Sequence, residues 1–289
     1  MKKQNHALDA LMLSGIKVTT ILINILSSAI LSRMVSLEAY GTYSTGNLIV
    51  STAASMTILG MMDASNYFYH QNQLNKRDCL NTIGFLQIVI GIASAVVILL
   101  ARHLFTAYFR NPMLGGIYIY IAFRAMLENL SNSLLSLQMS IGRARAVGIQ
   151  NALFSISKLL AILLTVFATK DITTVFAAYL IMDAATVLYY YRNFQKAEFG
   201  INPLSFRKDY LLPVLRFAIP MGICVMTNAL ARDIDKLVIG RFESTAQLAI
   251  YANCATPLPF GIISNAFLTI IVPAMTRFVQ NSKNEQAQR

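Results

Sequence analysis

Residues 80–101 read LNTIGFLQIVIGIASAVVILLA, a run of 22 residues with no Asp, Glu, Lys, Arg or His. A hydrocarbon core about 30 Å thick takes about 20 helical residues to cross, whereas a barrel strand needs only about 9–11. Inside lipid, backbone N–H and C=O groups must be paired within the segment, so a run of this length is a helix. Seven further runs accompany it, at 8–31, 42–69, 113–138, 147–168, 173–191, 212–239 and 248–274. The expected fold class is all-α: a polytopic transmembrane bundle of about eight helices. Composition agrees, since 56% of residues are hydrophobic and only 13% are charged, against about a quarter charged in a soluble domain. The first run is too long and too interrupted by polar residues to be a cleaved signal peptide.

A net charge of +11 would suit nucleic acid, but its placement argues otherwise. With the N-terminus taken as cytoplasmic, that side holds thirteen Lys and Arg residues: Lys2, Lys3, Lys76, Arg77, Arg143, Arg145, Arg192, Lys196, Arg207, Lys208, Arg277, Lys283 and Arg289. The other side holds five: Arg33, Arg102, Arg110, Lys170 and Arg241. This positive-inside bias puts both termini in the cytoplasm and implies a lipid bilayer, not nucleic acid, as the partner. Cys79, Cys224 and Cys254 have neither metal spacing nor a disulfide pattern. Without Trp, the interfacial rings fall to Tyr67, Tyr69, Phe105, Tyr108, Phe109 and Tyr189–Tyr191, at segment ends.

The loops are short except at 192–211, which is polar, broken and basic and reads as a linker. A repeat supports a division there. Arg241 lies 208 positions after Arg33, Ser244 208 after Ser36, and Tyr251 208 after Tyr43. Both runs join a first helix of a unit to its second, on the external side. The expected organisation is an N-terminal six-helix lobe over 1–200, followed by the start of a C-terminal lobe over 201–289 with two helices and a polar tail.

The run Leu31-Ser32-Arg33-Met34-Val35-Ser36-Leu37-Glu38-Ala39-Tyr40-Gly41-Thr42-Tyr43 resembles the signature that follows the first helix of the polysaccharide-transport (Wzx-type) flippases. Phe217-Ala218-Ile219-Pro220, Asp235 to Gly240, Ala249-Ile250-Tyr251-Ala252 and Pro273 extend the likeness across the chain. These flippases are a branch of the MOP superfamily, with the MATE drug exporters and the lipid II flippases. The resemblance implies a MATE/MOP-like six-helix lobe plus the first two helices of a second. Members usually have two lobes of six, so it also implies a C-terminally truncated copy.

Charges within a bilayer are costly, about 2.5–3.5 kcal/mol for a cation at mid-depth on insertion scales, and normally face protein or water. Lys17, Arg124, Glu128, Lys158 and Asp183 fall near the middle of their segments. Helical spacing extends them into polar rows: Lys17 through Thr20, Asn24 and Ser27; Arg124 through Glu128, Ser131 and Asn132; Lys158 with Asn151, Ser155 and Thr165. One polar cavity accounts for these rows. Structural ion pairing competes with that reading: Arg124 with Glu128 at i, i+4, and Lys158 with Asp183 across helices. Three cations against two acids leave one positive charge, which an anionic substrate would complete. In the seventh segment Arg232, Asp233, Asp235 and Lys236 are expected at an inter-lobe outer gate. Pro220, Pro257 and Pro259 are candidate hinges, with Pro213 in the same helix as Pro220.

The resemblance and the charge count together imply an inner-membrane flippase or exporter for a polyprenyl-diphosphate-linked glycan in O-antigen or capsule biosynthesis, in contact with polysaccharide assembly machinery. A MATE-like small-molecule exporter and a non-transporting remnant stand as alternatives. A membrane-embedded lipid-sugar transferase ranks last: His6, His70 and His103 are isolated and no loop suits a nucleotide sugar. No enzyme activity, metal or cofactor is expected, and coupling to H+ or Na+ is left open.

Overall fold

The computed structural model describes residues 6–70, 75–140, 143–169, 171–195, 202 and 205–255. Among them the chain is helical: α1 (His6–Met34), α2 (Leu37–Thr57), α3 (Met61–His70), α4 (Lys76–Leu100), α5 (Arg102–Phe109), α6 (Tyr118–Ser140), α7 (Ala144–Thr169), α8 (Ile172–Gln195), α9 (Leu211–Phe242) and α10 (Thr245–Cys254). Short 3-10 turns at Pro112–Gly116 and Lys208–Tyr210 precede α6 and α9. The all-α bundle is as expected. α4, α7, α8 and α9 are long and apolar enough to cross a membrane, and α2 with α3 makes a fifth, broken span.

The helix boundaries correct the sequence reading in three places. The run 42–69 is two helices, bent by 41° at Ile58–Gly60. There Leu59 (φ 44°) and Gly60 (φ 67°) turn left-handed, a conformation cheap only for glycine. The stretch after 101 forms the short α5, which carries the interfacial rings Phe105, Tyr108 and Phe109. The linker 192–211 is partly helix, because α8 runs to Gln195, and part of the remainder is clasped to α4. Asn202 N donates to Asn81 Oδ1 (2.9 Å), Asn81 Nδ2 donates to Ser205 Oγ (3.1 Å), Arg207 pairs with Asp78 (3.1 Å), and Phe206 stacks on Phe85 at 4.0 Å.

α6 is the hub, packed against α2, α3, α4, α7 and α8, while α1 lies along α7. Two apolar clusters occupy opposite ends. One gathers Leu31, Tyr40, Leu48, Ile98, Phe109, Ile121 and Phe176. The other gathers Met61, Phe68, Leu80, Ile83, Leu137, Phe194, Val214 and Ala218. Between them along α2, α4 and α6 lie buried or half-buried polar side chains: Asn47, Thr57, Gln87, Arg124 and Asn129. Arg124, Glu128 and Asn129 lower the hydropathy of α6, which does not reach the apolarity of the spanning helices.

The α1–α2 and α9–α10 corners are built alike. Ser36 Oγ accepts from Ala39 N and caps α2, and Ser244 Oγ accepts from Gln247 N and caps α10, at 3.2 Å each. The two corners meet. A Cβ on Gly41 would collide with Thr245 O and lie 2.6 Å from Thr245 Cγ2, so only glycine admits this crossing of α2 and α10. Ser28 Oγ and Tyr40 OH both donate to Asn253 Oδ1 at 2.6 Å, tying α10 to α1 and α2.

Candidate functional site

A cavity of about 300 Å³ opens between α1, α6, α7 and α8. Its lining includes Thr20, Glu128, Ser131, Asn132, Asn151, Ser155, Lys158 and Asp183. Thr20 of the α1 row, Glu128, Ser131 and Asn132 of the α6 row and Asn151, Ser155 and Lys158 of the α7 row therefore meet here, because α6 packs against both α7 and α8 and α1 lies on α7.

Asp183 is the centre of the charge network. Arg124 Nε donates to its Oδ2 at 3.0 Å and Lys158 Nζ to its Oδ1 at 2.5 Å. Arg124 Nη1 donates to Asn47 Oδ1 at 2.8 Å. The Arg124 guanidinium also lies over the rings of Tyr179 (4.7 Å) and Phe176 (5.4 Å), the aromatic contact that Arg favours. Tyr179 OH lies 3.2 Å from Tyr43 OH. Arg124 is only 4% exposed and is absent from the cavity wall, whereas the Lys158 side chain is 33% exposed and forms part of it.

The pairing of Arg124 with Glu128 is thus corrected. Helical side chains lean toward the N-terminus of their helix, so an Arg that precedes a Glu by four points away from it; the opposite order pairs better. Arg124 finds Asp183 on α8 instead. Glu128 is half-buried on the cavity wall and forms no ion pair among the described residues. The Lys158–Asp183 contact across helices is present.

Asn24 is exposed on α1 and is not part of the lining. Lys17 occupies α1 one turn before Thr20; its side chain lies outside the described residues, as do Pro257 and Pro259. Pro220 lies within the unbroken α9, whereas Pro213 sits in its first turn, where no N–H is needed, so Pro213 is not a kink. The residues expected at the gate are bonded to one another within α9 and α10. Asp233 is buried and takes Arg232 (3.1 Å) and Lys236 (2.8 Å), all on α9, and Asp235 accepts from Tyr251 of α10 (2.6 Å). These bonds stay within α9 and α10 because the partners are one, three or sixteen positions apart. Sequence reasoning missed Asn47, whose polarity in an apolar run was a usable signal. It also missed Tyr43, Phe176 and Tyr179, whose aromatic character carried none.

A family model described as polysaccharide biosynthesis protein matches residues 30–288. The chain belongs to that family. Among solved structures, this family member resembles the MATE multidrug transporter DinF-BH, with TM-score 0.66 and 14% identity over 92% of this chain and 61% of that one. It also resembles a MATE protein in complex with Br-NRF, with TM-score 0.60 and 14% identity over 92% and 72%. A third is a MOP superfamily transporter from Pyrococcus furiosus described as having a binding pocket of reverse polarity, with TM-score 0.58 and 14% identity over 93% and 69%. At this identity the likeness shows the fold, which is that of the MATE/MOP transporters. The chain spans 61% of the length of the first of these structures. A search of curated protein sequences found no match.

Proposed function

We propose that this multi-pass membrane protein takes part in moving a polyprenyl-diphosphate-linked oligosaccharide across the bacterial inner membrane. The charged and sugar parts enter the cavity between α1, α6, α7 and α8 while the lipid tail stays in the bilayer. The observation that carries this reading is the division of labour at Asp183: a buried Arg124 and an accessible Lys158 share one carboxylate. An incoming diphosphate draws Lys158 away, and Arg124 stays to neutralise Asp183, so no buried charge is stranded. Lys17, one turn from Thr20, supplies a further cation on α1. The family supports a role in polysaccharide biosynthesis and the fold supports transport.

Binding of a fluorescent polyprenyl-diphosphate oligosaccharide to the protein in nanodiscs tests this. Lys158→Ala is expected to weaken binding about 10- to 100-fold, the worth of a charge-assisted hydrogen bond, with Lys158→Arg milder. Unchanged binding by Lys158→Ala sinks the assignment. Glu128 favours a second reading, an exporter of small organic cations, because its carboxylate faces the same cavity without an ion pair among the described residues. That reading takes over when a lipophilic cation binds, the glycolipid does not, and Glu128→Gln abolishes the binding.

A further inference from the structure

The joint between α2 and α3 holds a concentration of unused oxygen atoms. Four buried side-chain N or O atoms lack a hydrogen-bond partner among the described residues: Thr52 Oγ1, Gln87 Oε1, Asn129 Oδ1 and Gln150 Oε1. Three of the four belong to the helices that meet at this joint. Gln87 of α4 donates its Nε2 to Ile58 O (3.3 Å), and Asn129 of α6 donates its Nδ2 to Thr57 Oγ1 (2.6 Å). Both carboxamides are thereby anchored on adjacent residues at the end of α2, with their oxygens left over. Gln87 is 1% and Asn129 0% exposed, so bulk water does not satisfy them. Thr52 lies on α2 about 7.5 Å further along the axis and on a different face, outside this pair.

The backbone adds to the same polarity. α2 ends at Thr57 and the chain turns left-handed at Leu59 and Gly60. Ala54 O is taken by Ile58 N. The carbonyls of Ser55, Met56 and Thr57 are left without the next helical turn of N–H groups. The C-terminus of a helix carries partial negative charge. Unwound carbonyls and half-helix C-terminal ends within a membrane are where alkali cations are coordinated. The chemistry here is uncharged oxygen, with no carboxylate among these atoms, which suits a weakly held monovalent ion better than a divalent one.

We propose that the α2–α3 joint binds an alkali cation, with Gln87 Oε1, Asn129 Oδ1 and carbonyls of the last turn of α2 as ligands. The site is separate from the Asp183 network and does not depend on the transported substrate. It sits where Gly60 packs against α9 so closely that an added Cβ would lie 2.6–2.8 Å from Ala218, Met221 and Gly222. Ion occupancy there fixes the bend between α2 and α3, and with it the seat of α9.

Thermal unfolding of the purified protein, titrated with LiCl, NaCl, KCl or choline chloride at constant ionic strength, is the test. At least one alkali salt is expected to raise Tm saturably above choline, by roughly 2–5 °C. Gln87→Met, which keeps the length and removes the Oε1 ligand, is expected to raise the half-saturating concentration at least tenfold. Asn129→Leu, which removes the other carboxamide oxygen, is expected to raise it as well. Equal Tm in all four salts overturns the site and leaves the joint to buried water. An alkali shift that neither substitution alters places the ion elsewhere and overturns it too.

Discussion

Asp183 holds Arg124 on one carboxylate oxygen and Lys158 on the other, and at 6% exposure it is a buried ion-pair partner. Removing one partner of a buried pair costs about 3–5 kcal/mol, while replacing the pair with apolar side chains is often neutral. Asp183→Leu is therefore expected to destabilise the protein by about that amount, because the Arg124 guanidinium keeps only Asn47 and two rings. Asp183→Leu combined with Arg124→Met is expected to recover most of the loss. Chemical denaturation of the four members of this double-mutant cycle measures the coupling; an additive result would mean that the network is ornamental to stability. The positions of these charges are legible in the sequence, since ionisable groups in apolar runs are rare and each sits on a polar row. Their pairing is not. The lean of helical side chains turns Arg124 away from Glu128, but Arg124 and Asp183 are 59 positions apart and only helix packing brings them together.

At the scale of elements, the bend in the second span is the feature least visible in the sequence. The run 42–69 stays apolar across Ile58–Gly60 with no proline to interrupt it, and a lone glycine inside a helical pattern is a weak signal. What requires glycine is the φ of 67° and the approach of α9, where a Cβ would meet Ala218 O at 2.6 Å. Gly60→Ala is accordingly expected to cost about 1–3 kcal/mol. Gly15→Ala on α1, where an added Cβ meets nothing within 4 Å, is expected to be neutral or to gain up to about 1 kcal/mol. Thermal denaturation of the two variants separates these outcomes; equal effects would show that the turn tolerates a side chain. The docking of the linker is hidden for a related reason. Its polarity is plain, but the partners that satisfy that polarity, Asp78, Asn81 and Thr82, stand at the start of an apolar helix more than a hundred positions away.

At the scale of the whole molecule, the bundle has two polar ends whose membership follows from contacts. One end brings together the α1–α2, α5–α6 and α9–α10 turns. Asn111 Nδ2 donates to Thr42 (3.0 Å), Arg241 donates to the carbonyls of Ala107 and Tyr108 (3.3 Å each), and Gly41 lies against Thr245. The other end gathers the start of α4, the end of α8 and the start of α9. There Arg143 donates to Asn193 O and Tyr67 stacks on Phe217. Among the described residues, Lys76, Arg77, Arg143, Arg192, Arg207 and Lys208 of the thirteen stand at the second end, and Arg33, Arg102, Arg110 and Arg241 of the five at the first. The richer end is therefore expected in the cytoplasm, because translocating short loops with several cations is disfavoured. With Cys79, Cys224 and Cys254 replaced, single cysteines at the exposed positions Asn75 and Glu243 test this directly. In intact spheroplasts Glu243→Cys is expected to react with a membrane-impermeant maleimide and Asn75→Cys only after permeabilisation. The reverse pattern would invert the molecule. It would also place the approach to Lys158 for a substrate made in the cytoplasm at the α1–α2 and α9–α10 corners, rather than at the end where Asn202 and Arg207 are held to α4.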